Sequence, residues 1–511
     1  MSGRENAATK ERGPTQLPFR SASAPLCFSS RMPRGVEHTS RLCGLFRAPL
    51  RAEACSPRKD NSPRRFLPNR WRILATLSVC ASLLSAGACT PFRARPLSAE
   101  HALTDFSRRS LDDAGLRSFL SEHGTGKGPW DINRLALAAA YFHPDVALAH
   151  AEAAELAAGI QTARMRPNPV LTFSPQYASF RAPVFTPWFM GSSLSLPIET
   201  ASKRTKRVAQ ALALAEAARW RVSARAWAAR SRVRSAALEV FAARENQRLL
   251  ETEQGLHEEA IKKLTAQMEA GDVSPFELTQ ARLMLNRTRL ALQDTRRNAS
   301  AAHARLAAAI GIPLEALHAA RLDFSSLETL PRAGTANHLA LTRRADLMGL
   351  LAEYAAAEAT LKLELARQYP DLNLAPGYDY NSGQNRWQLG INLTLPLNRN
   401  RGPIAEAEAR RFSAEKRFLA RQAAIRAELD VTLAAYDASR SKATTAATLA
   451  READSASETT QKMVEAGNVS ALELTRRRIE ASAAKLALLT AHLEAQTAAG
   501  ALEDAMQSPL P

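Results

Sequence analysis

The sequence predicts a mainly α-helical chain with transmembrane β-strands, built twice over as helix, strand, strand, long helix, turn, helix. Three observations predict it. The chain repeats itself once at an offset near 200, with four landmarks in the same order. Each half holds two segments of roughly ten residues in which apolar and polar side chains alternate. In the first half these are followed by residues 201–268, a stretch with no proline and a single glycine, Gly255.

The duplication is direct. HPDVALAHAEAAE from His143 answers RADLMGLLAEYAAAE from Arg344, and RPNPVLTF from Arg166 answers YPDLNLAP from Tyr369. SLSLPIE from Ser193 answers NLTLPLN from Asn392, and EAGDVSPFELTQAR from Glu269 answers EAGNVSALELTRRR from Glu465. Nearly constant spacing across four landmarks marks an internal repeat.

The strands are clearest in the second half. Over 372–381, Leu372, Leu374, Tyr378 and Tyr380 alternate with Asn373, Ala375, Gly377, Asp379 and Asn381. Over 387–397, Trp387, Leu389, Ile391, Leu393, Leu395 and Leu397 alternate with Gln388, Gly390, Asn392 and Thr394. Residues 170–178 and 188–196 are weaker copies. A period of two with aromatics near the ends suits a strand that faces lipid on one side and water on the other. A half-buried soluble sheet shows the same alternation; strand length and the export signal described below favour the membrane. Four strands cannot close a barrel, and open edges are not tolerated in lipid, so neighbouring copies must complete the wall. Three copies supply twelve strands, within the range of bacterial barrels.

Residues 201–268 predict about 100 Å of helix at 1.5 Å per residue. The seam steps by four and three through Val208, Leu212, Ala215, Val222, Ala226, Ala229, Val233, Ala236, Val240, Ala243, Leu250, Ile261, Leu264 and Met268. Arg219, Gln247, Gln254 and His257 interrupt it. A sustained period of 3.5 marks coiled-coil packing, and the abundance of alanine implies close helix approach. Both long helices end on one signature, Gly271-Asp272-Val273-Ser274 and Gly467-Asn468-Val469-Ser470. Glycine fits the left-handed terminating position. Ser274 with Glu277, and Ser470 with Glu473, read as capping boxes that start the return helix, and Pro275 suits its first turn. Locally these are good helical hairpins and nothing more. If the strands lie in an outer membrane, both turns sit at the far periplasmic end and form a docking surface for another protein. There Asp272 is a candidate for an acidic ring.

Charge and cysteine use point to the N-terminus. The net charge is +18, yet residues 1–72 hold fifteen Lys/Arg against five Asp/Glu, so +10 of it lies there. That leaves +8 over the body of the chain and weakens the case for nucleic-acid binding there. Arg64, Arg65, Arg70 and Arg72 form a basic region, residues 73–84 an apolar run too short to span a bilayer, and Ser85-Ala86-Gly87-Ala88 a small-residue cleavage site. Cys89 follows directly and matches a bacterial lipoprotein signal, except that Ala86 stands where Leu is usual; ordinary secretion with an incidental cysteine is the alternative. The remaining cysteines, Cys27, Cys43, Cys55 and Cys80, all precede it, so the body has no disulfide framework and no cysteine metal site. Residues 1–63 carry no periodicity, and translation is expected to start downstream of them. The expected organisation is therefore an extension 1–63, a signal peptide 64–88, a lipid-anchored segment 89–131, a first repeat 132–311, a linker 312–335, a second repeat 336–502 and a tail 503–511.

Chemistry is sparse. No phosphate loop, metalloprotease helix, nucleophile elbow or dinucleotide fingerprint occurs, so no enzyme activity, catalytic residue, cofactor or metal site is expected. The ten histidines are scattered, and His143, before Pro144, reads as a helix starter. Arg296-Arg297 and Arg476-Arg477-Arg478 read as solvated or interhelical charges.

Over 132–502 the duplicated body resembles the outer membrane factor (TolC-like) efflux family. LSLPIETASKR from Leu194 and LTLPLNRNRGPIAEAEAR from Leu393 resemble its heavy-metal branch, the outer-membrane component of cobalt–zinc–cadmium resistance systems. The residues carrying that resemblance are the strand-to-helix transitions: Pro197, Glu199, Lys203 and Arg204, then Pro396, Asn398, Arg399, Asn400, Arg401, Gly402 and Pro403. Two departures fall there. Ala201-Ser202 replaces the branch's usual Gly-Gly, and no Phe precedes Asn398. The resemblance implies a homotrimer whose twelve-stranded barrel in outer-membrane lipid continues into a periplasmic helical barrel. It implies a passive duct, closed at its tips until a periplasmic adaptor and an inner-membrane RND-type pump engage it. Metal cations are the implied cargo; drugs or other small molecules are the alternative. A periplasmic adaptor lipoprotein is disfavoured, since an adaptor has one hairpin and soluble β-domains.

Overall fold

The computed structural model describes residues 92–125, 128–179, 187–332, 340–381 and 383–510. Cys89, the signal-like segment 64–88 and the extension 1–63 lie outside the described residues. Two short helices, α1 (Ala99–Ser107) and α2 (Ala114–Glu122), precede the first repeat. That repeat runs α3 (Ile132–Phe142), α4 (Pro144–Arg164), β1 (Val170–Tyr177), β2 (Trp188–Ile198), α5 (Lys203–Glu269) and α6 (Pro275–Ile310). After α7 (Leu314–His318) and α8 (Ser325–Glu328) come α9 (Ala340–Arg343), α10 (Ala345–Ala366), β3 (Leu372–Asn381), β4 (Gln384–Leu393), α11 (Arg401–Glu465) and α12 (Ala471–Met506). The predicted order is present in both halves.

Each repeat opens on the same clamp. His143 caps α4: Pro144 occupies the first helical position, and His143 Nδ1 accepts from the Asp145 amide at 3.2 Å. Asp145 holds Arg232 of α5 at 2.8 Å, and Arg232 also donates to His143 Nε2 at 2.9 Å. In the second repeat Arg344 stands in the place of His143. Asp346 takes Arg344 at 2.9 Å and Arg421 of α11 at 2.8 Å. A helix N-terminus favours the carboxylate in both cases.

The four strands form one antiparallel sheet in chain order, β2 pairing with β3 to join the repeats. The last strand spans 384–393, not the expected 387–397. Gly383, at φ +84°, makes a tight turn that lets Asn381 pair with Gln384, so the hairpin zips from its tip. The ladder stops at Leu393 because its partner Leu372 is the first residue of β3, leaving Leu395 and Leu397 exposed.

α5 begins at Lys203, two residues later than expected, because Ala201 and Ser202 are left-handed. Of its predicted seam, Ala215, Ala229, Val233, Ala236, Val240, Ala243 and Leu264 are buried. Leu212 is not, being 47% exposed. Ala217, Ala218, Ala237, Leu238 and Phe241 are buried in addition, because α5 packs against α3, α4, α6, α10 and α12 and so is covered on more than one face. The main core gathers Leu116, Leu135, Val146, Val233, Leu306, Ile310, Leu317 and Leu327 from α2 through α8. A second cluster joins Leu347, Ile425, Tyr436 and Leu502. Residues 503–506 are not a tail. They complete α12, because Glu503 is buried between two arginines, Arg230 at 2.9 Å and Arg234 at 3.4 Å.

Candidate functional site: the two-faced sheet, its transitions and the helical tips

The register decides the character of the sheet. Across β1 and β2, Leu171 faces Leu194, Pro175 faces Met190 and Tyr177 faces Trp188. Across β2 and β3, Leu196 faces Leu374 and Ile198 faces Leu372. Across β3 and β4, Leu374 faces Ile391, Pro376 faces Leu389 and Tyr378 faces Trp387. Because side chains alternate with a period of two, all of these lie on one face. That face is unburied: Phe173 is 64% exposed, Trp387 82% and Leu389 66%. The opposite face carries Thr172, Ser174, Gln176, Ser193, Asn373, Asp379, Arg386, Gln388 and Asn392. An exposed apolar face backed by a polar one is the signature of a wall between lipid and water. At the end away from the helices, Tyr177–Trp188 and Tyr378–Trp387 each meet at 5.0 Å between ring centroids with their planes steeply inclined, where interfacial aromatics belong. Among the described residues the outer edges of β1 and β4 have no partner strand.

At the other end the chain turns from strand to helix. The Lys203 amide bonds to Thr200 O at 3.1 Å across Ala201 and Ser202, and the Arg401 amide bonds to Asn398 O at 3.1 Å across Arg399 and Asn400. Those four residues are left-handed, with φ of +52°, +57°, +45° and +53°. Two consecutive left-handed residues make turns of the I′ kind, which favour glycine and asparagine. The two turns are equivalent, and Lys203, Arg204, Arg401, Gly402 and Pro403 already lie in the helices that follow, not in the transitions themselves. Lys203, almost fully buried, bonds Asp371 Oδ1 at 2.8 Å and Tyr369 O at 2.6 Å. Burial disfavours the Asp371 charge, but Lys203 and the Thr200 amide outweigh it and hold that carboxyl below its ordinary range. Glu199 grips Arg207 at 2.6 Å, and Arg207 caps the end of α4 through the carbonyls of Ala163 and Met165. Asn400 donates to Glu364 O and Oε2, both at 2.9 Å. Pro197 lies within β2 opposite Asn373; Pro396 accepts from the Arg399 amide at 2.9 Å.

Left-handed backbone costs a non-glycine residue about 1–2 kcal/mol, partly offset by the greater entropy that glycine loses on folding. Ala201→Gly with Ser202→Gly is therefore expected to stabilise the chain by about 1 kcal/mol, and Arg399→Gly by more than Asn400→Gly. Denaturation midpoints measure this, and an unchanged midpoint would contradict strain at the turns.

The tips are built as predicted in backbone and only partly in side chain. Gly271 and Gly467 have φ of +86° and +76°. Asp272 N bonds Gln267 O at 2.9 Å and Gly271 N bonds Met268 O at 3.1 Å; Asn468 N to Met463 O and Gly467 N to Val464 O repeat the pattern at 2.9 and 3.0 Å. These are Schellman closures. Ser470 Oγ accepts from the Glu473 amide at 3.3 Å, whereas the Ser274 side chain makes no cap bond. Neither glutamate returns to its cap: Glu277 reaches Arg476 of the other hairpin at 3.1 Å, and Glu473 takes Arg477 at 3.2 Å. Behind the turns Leu264, Leu278 and Leu472 pack together, with Val273 against them. Lys263 bonds Glu259 at 2.6 Å and Thr475 at 2.7 Å and holds the Glu259 carboxyl below its ordinary range. Of the first arginine run, Arg296 reaches across to Glu251 of α5 at 3.4 Å, and Arg297 is an exposed charge beside Asp294 of its own helix at 3.3 Å.

Among the described residues no group of histidine, cysteine and carboxylate side chains is placed to hold a metal ion, and no helix is long and apolar enough to cross a membrane. The sequence reading missed the buried polar ties at mid-length. Gln496 donates to Leu327 O at 2.9 Å and Thr329 O at 2.8 Å while its own carbonyl accepts from Arg234 at 2.9 Å. A polar residue inside an alanine seam was the available signal.

The family model for outer membrane efflux proteins matches residues 138–312 and 337–507, one match per repeat. The chain belongs to the outer membrane efflux protein family. Within it, the pyoverdine export outer membrane protein OpmQ of Pseudomonas aeruginosa is 29% identical over 199 residues, 37% of this chain and 41% of that protein. The cobalt-zinc-cadmium resistance protein CzcC of Cupriavidus metallidurans is 24% identical over 290 residues, 56% of this chain and 68% of that protein. The match thus spans less than half the length of OpmQ and about two thirds of CzcC. The outer membrane protein VceC of Vibrio cholerae shares the fold at a TM-score of 0.60 and 17% identity, covering 74% of this chain and 97% of that one. This outer membrane efflux protein therefore shares the fold of VceC, with the predicted combination of paired strands and long helices.

Proposed function

We propose that three copies close a twelve-stranded barrel in the outer membrane and a helical duct beneath it, through which heavy-metal cations leave the periplasm unaltered. The observation that carries this is the sheet: one face is largely apolar, exposed along β1 and β4 and half-buried along β3, the other is polar, and among the described residues neither edge has a partner strand. In lipid such a ribbon is stable only when copies pair edge to edge. The cargo rests on the resemblance to CzcC and on the transition motifs; similarity to a pyoverdine exporter supports the alternative of a small-molecule duct. Cys89 is the proposed lipid attachment, and no chemistry is assigned to the duct itself. The turns Gly271–Ser274 and Gly467–Ser470 are the proposed contact for a periplasmic adaptor, with an inner-membrane pump supplying energy. Recovery of an SDS-resistant, heat-dissociable trimer from outer membranes tests the assembly, and a monomer in the soluble fraction would end it. Comparing zinc, cobalt and cadmium tolerance of a deletion strain with its drug tolerance tests the cargo.

Gly271→Val with Gly467→Val tests the tips. A β-branched residue at positive φ disrupts each closure at a cost of about 1–2 kcal/mol or more, little against a whole trimer. The expected result is normal trimer yield with lost export. Full resistance in that strain would argue against docking there.

A further inference from the structure

The polar face of the sheet brings one acid and one base to the same level, Asp379 of β3 directly opposite Arg386 of β4. Among the described residues they form no salt bridge with each other. Asp379 leans toward β2, where a Cβ on Gly191 would lie 3.0 Å from Oδ1. Arg386 turns along its own strand and donates to Gln384 Oε1 at 3.2 Å. Gly377 gives Gln388 the same clearance that Gly191 gives Asp379, at 3.1 Å. Long polar side chains therefore lie flat along the wall over glycines. The level is that of the Tyr378–Trp387 pair, at the end of the sheet away from the helices.

We propose that Asp379 and Arg386 form a ring of alternating charge around the outer mouth of the duct and, by balancing each other, keep that mouth open to cations and anions alike. The inference rests on the trimeric barrel reading. A fixed charge acts over about 8 Å at physiological ionic strength, so a solute near the wall meets one member of the ring at a time, while the ring as a whole is balanced. Removing either sign leaves three uncompensated charges of the other.

The absence of cysteine beyond Cys89 makes one introduced thiol a specific reporter. In the full-length protein on intact cells, Gln388→Cys places that thiol on the polar face beside the ring. Its rates of reaction with a cationic and an anionic membrane-impermeant methanethiosulfonate are measured, with the parent chain as blank. Asp379→Asn is expected to lower the cation-to-anion rate ratio by about threefold or more, Arg386→Gln to raise it by as much, and the double variant to restore it. A ratio moved by neither substitution overturns the ring, as does a thiol that neither reagent reaches. Leu389→Cys separates this from failure of the barrel itself. It lies on the apolar face and is expected to be silent, and if it reacts as fast as Gln388→Cys, both faces are wet and the barrel falls together with the ring.

Discussion

Arginine in place of Leu389 is expected to prevent insertion, while arginine at the adjoining Gln388 is tolerated. Leu389 sits midway along β4 on the apolar face and is 66% exposed in the single chain. Charge at that depth on the lipid side of a barrel costs about 2–4 kcal/mol, and a trimer incurs it three times. Gln388 points to the polar side, over Gly377. The measurement is the amount of heat-dissociable trimer in outer-membrane fractions of the two strains. Equal yields would mean that the two faces do not meet different solvents, and the sheet would then have to be a soluble one.

Glu503→Ala is expected to cost about 3–5 kcal/mol, the penalty for leaving a buried charge without its partner. Glu503 is 6% exposed and bridges Arg230 and Arg234 across α12 and α5. Burial already pulls the Arg234 guanidinium below its ordinary range, with Glu503 opposing that shift. Neighbouring Asp504 receives the Trp227 indole N–H at 3.0 Å and cannot take over both arginines. A lower temperature for loss of helical signal in detergent measures the effect; Glu503→Gln, which keeps one acceptor, is expected to fall between. A shift below about 1 kcal/mol would show that water reaches the pair.

What could be read from residues alone was whatever repeats or alternates. The offset between His143 and Arg344 exposed the duplication, and the alternation from Leu372 to Tyr380 exposed a strand with two faces. Gly271 and Gly467 gave the hairpin ends to the residue, because a left-handed closure has few tenants. The start of β4 was missed because Gln384 and Arg386 are polar-face residues with no apolar rhythm before Trp387; only Gly383 hinted at a turn. Burial of α5 was underestimated because a heptad describes one seam, whereas this helix has neighbours on several sides. The Lys203–Asp371 tie joins positions 168 residues apart and leaves no local pattern at all. Ala201 and Ser202 were singled out as departures at the turn, and the backbone shows why: both occupy conformations that glycine adopts without strain.

The unpaired margins of β1 and β4 have a consequence for the life of a newly made chain. If copies assemble as proposed, each one before it meets its fellows carries two strand edges without partners among the described residues and a largely apolar ribbon, the combination most prone to indiscriminate sticking. Completion of the proposed wall would then depend on how often copies collide, and the population of finished pores is expected to rise more steeply than expression level.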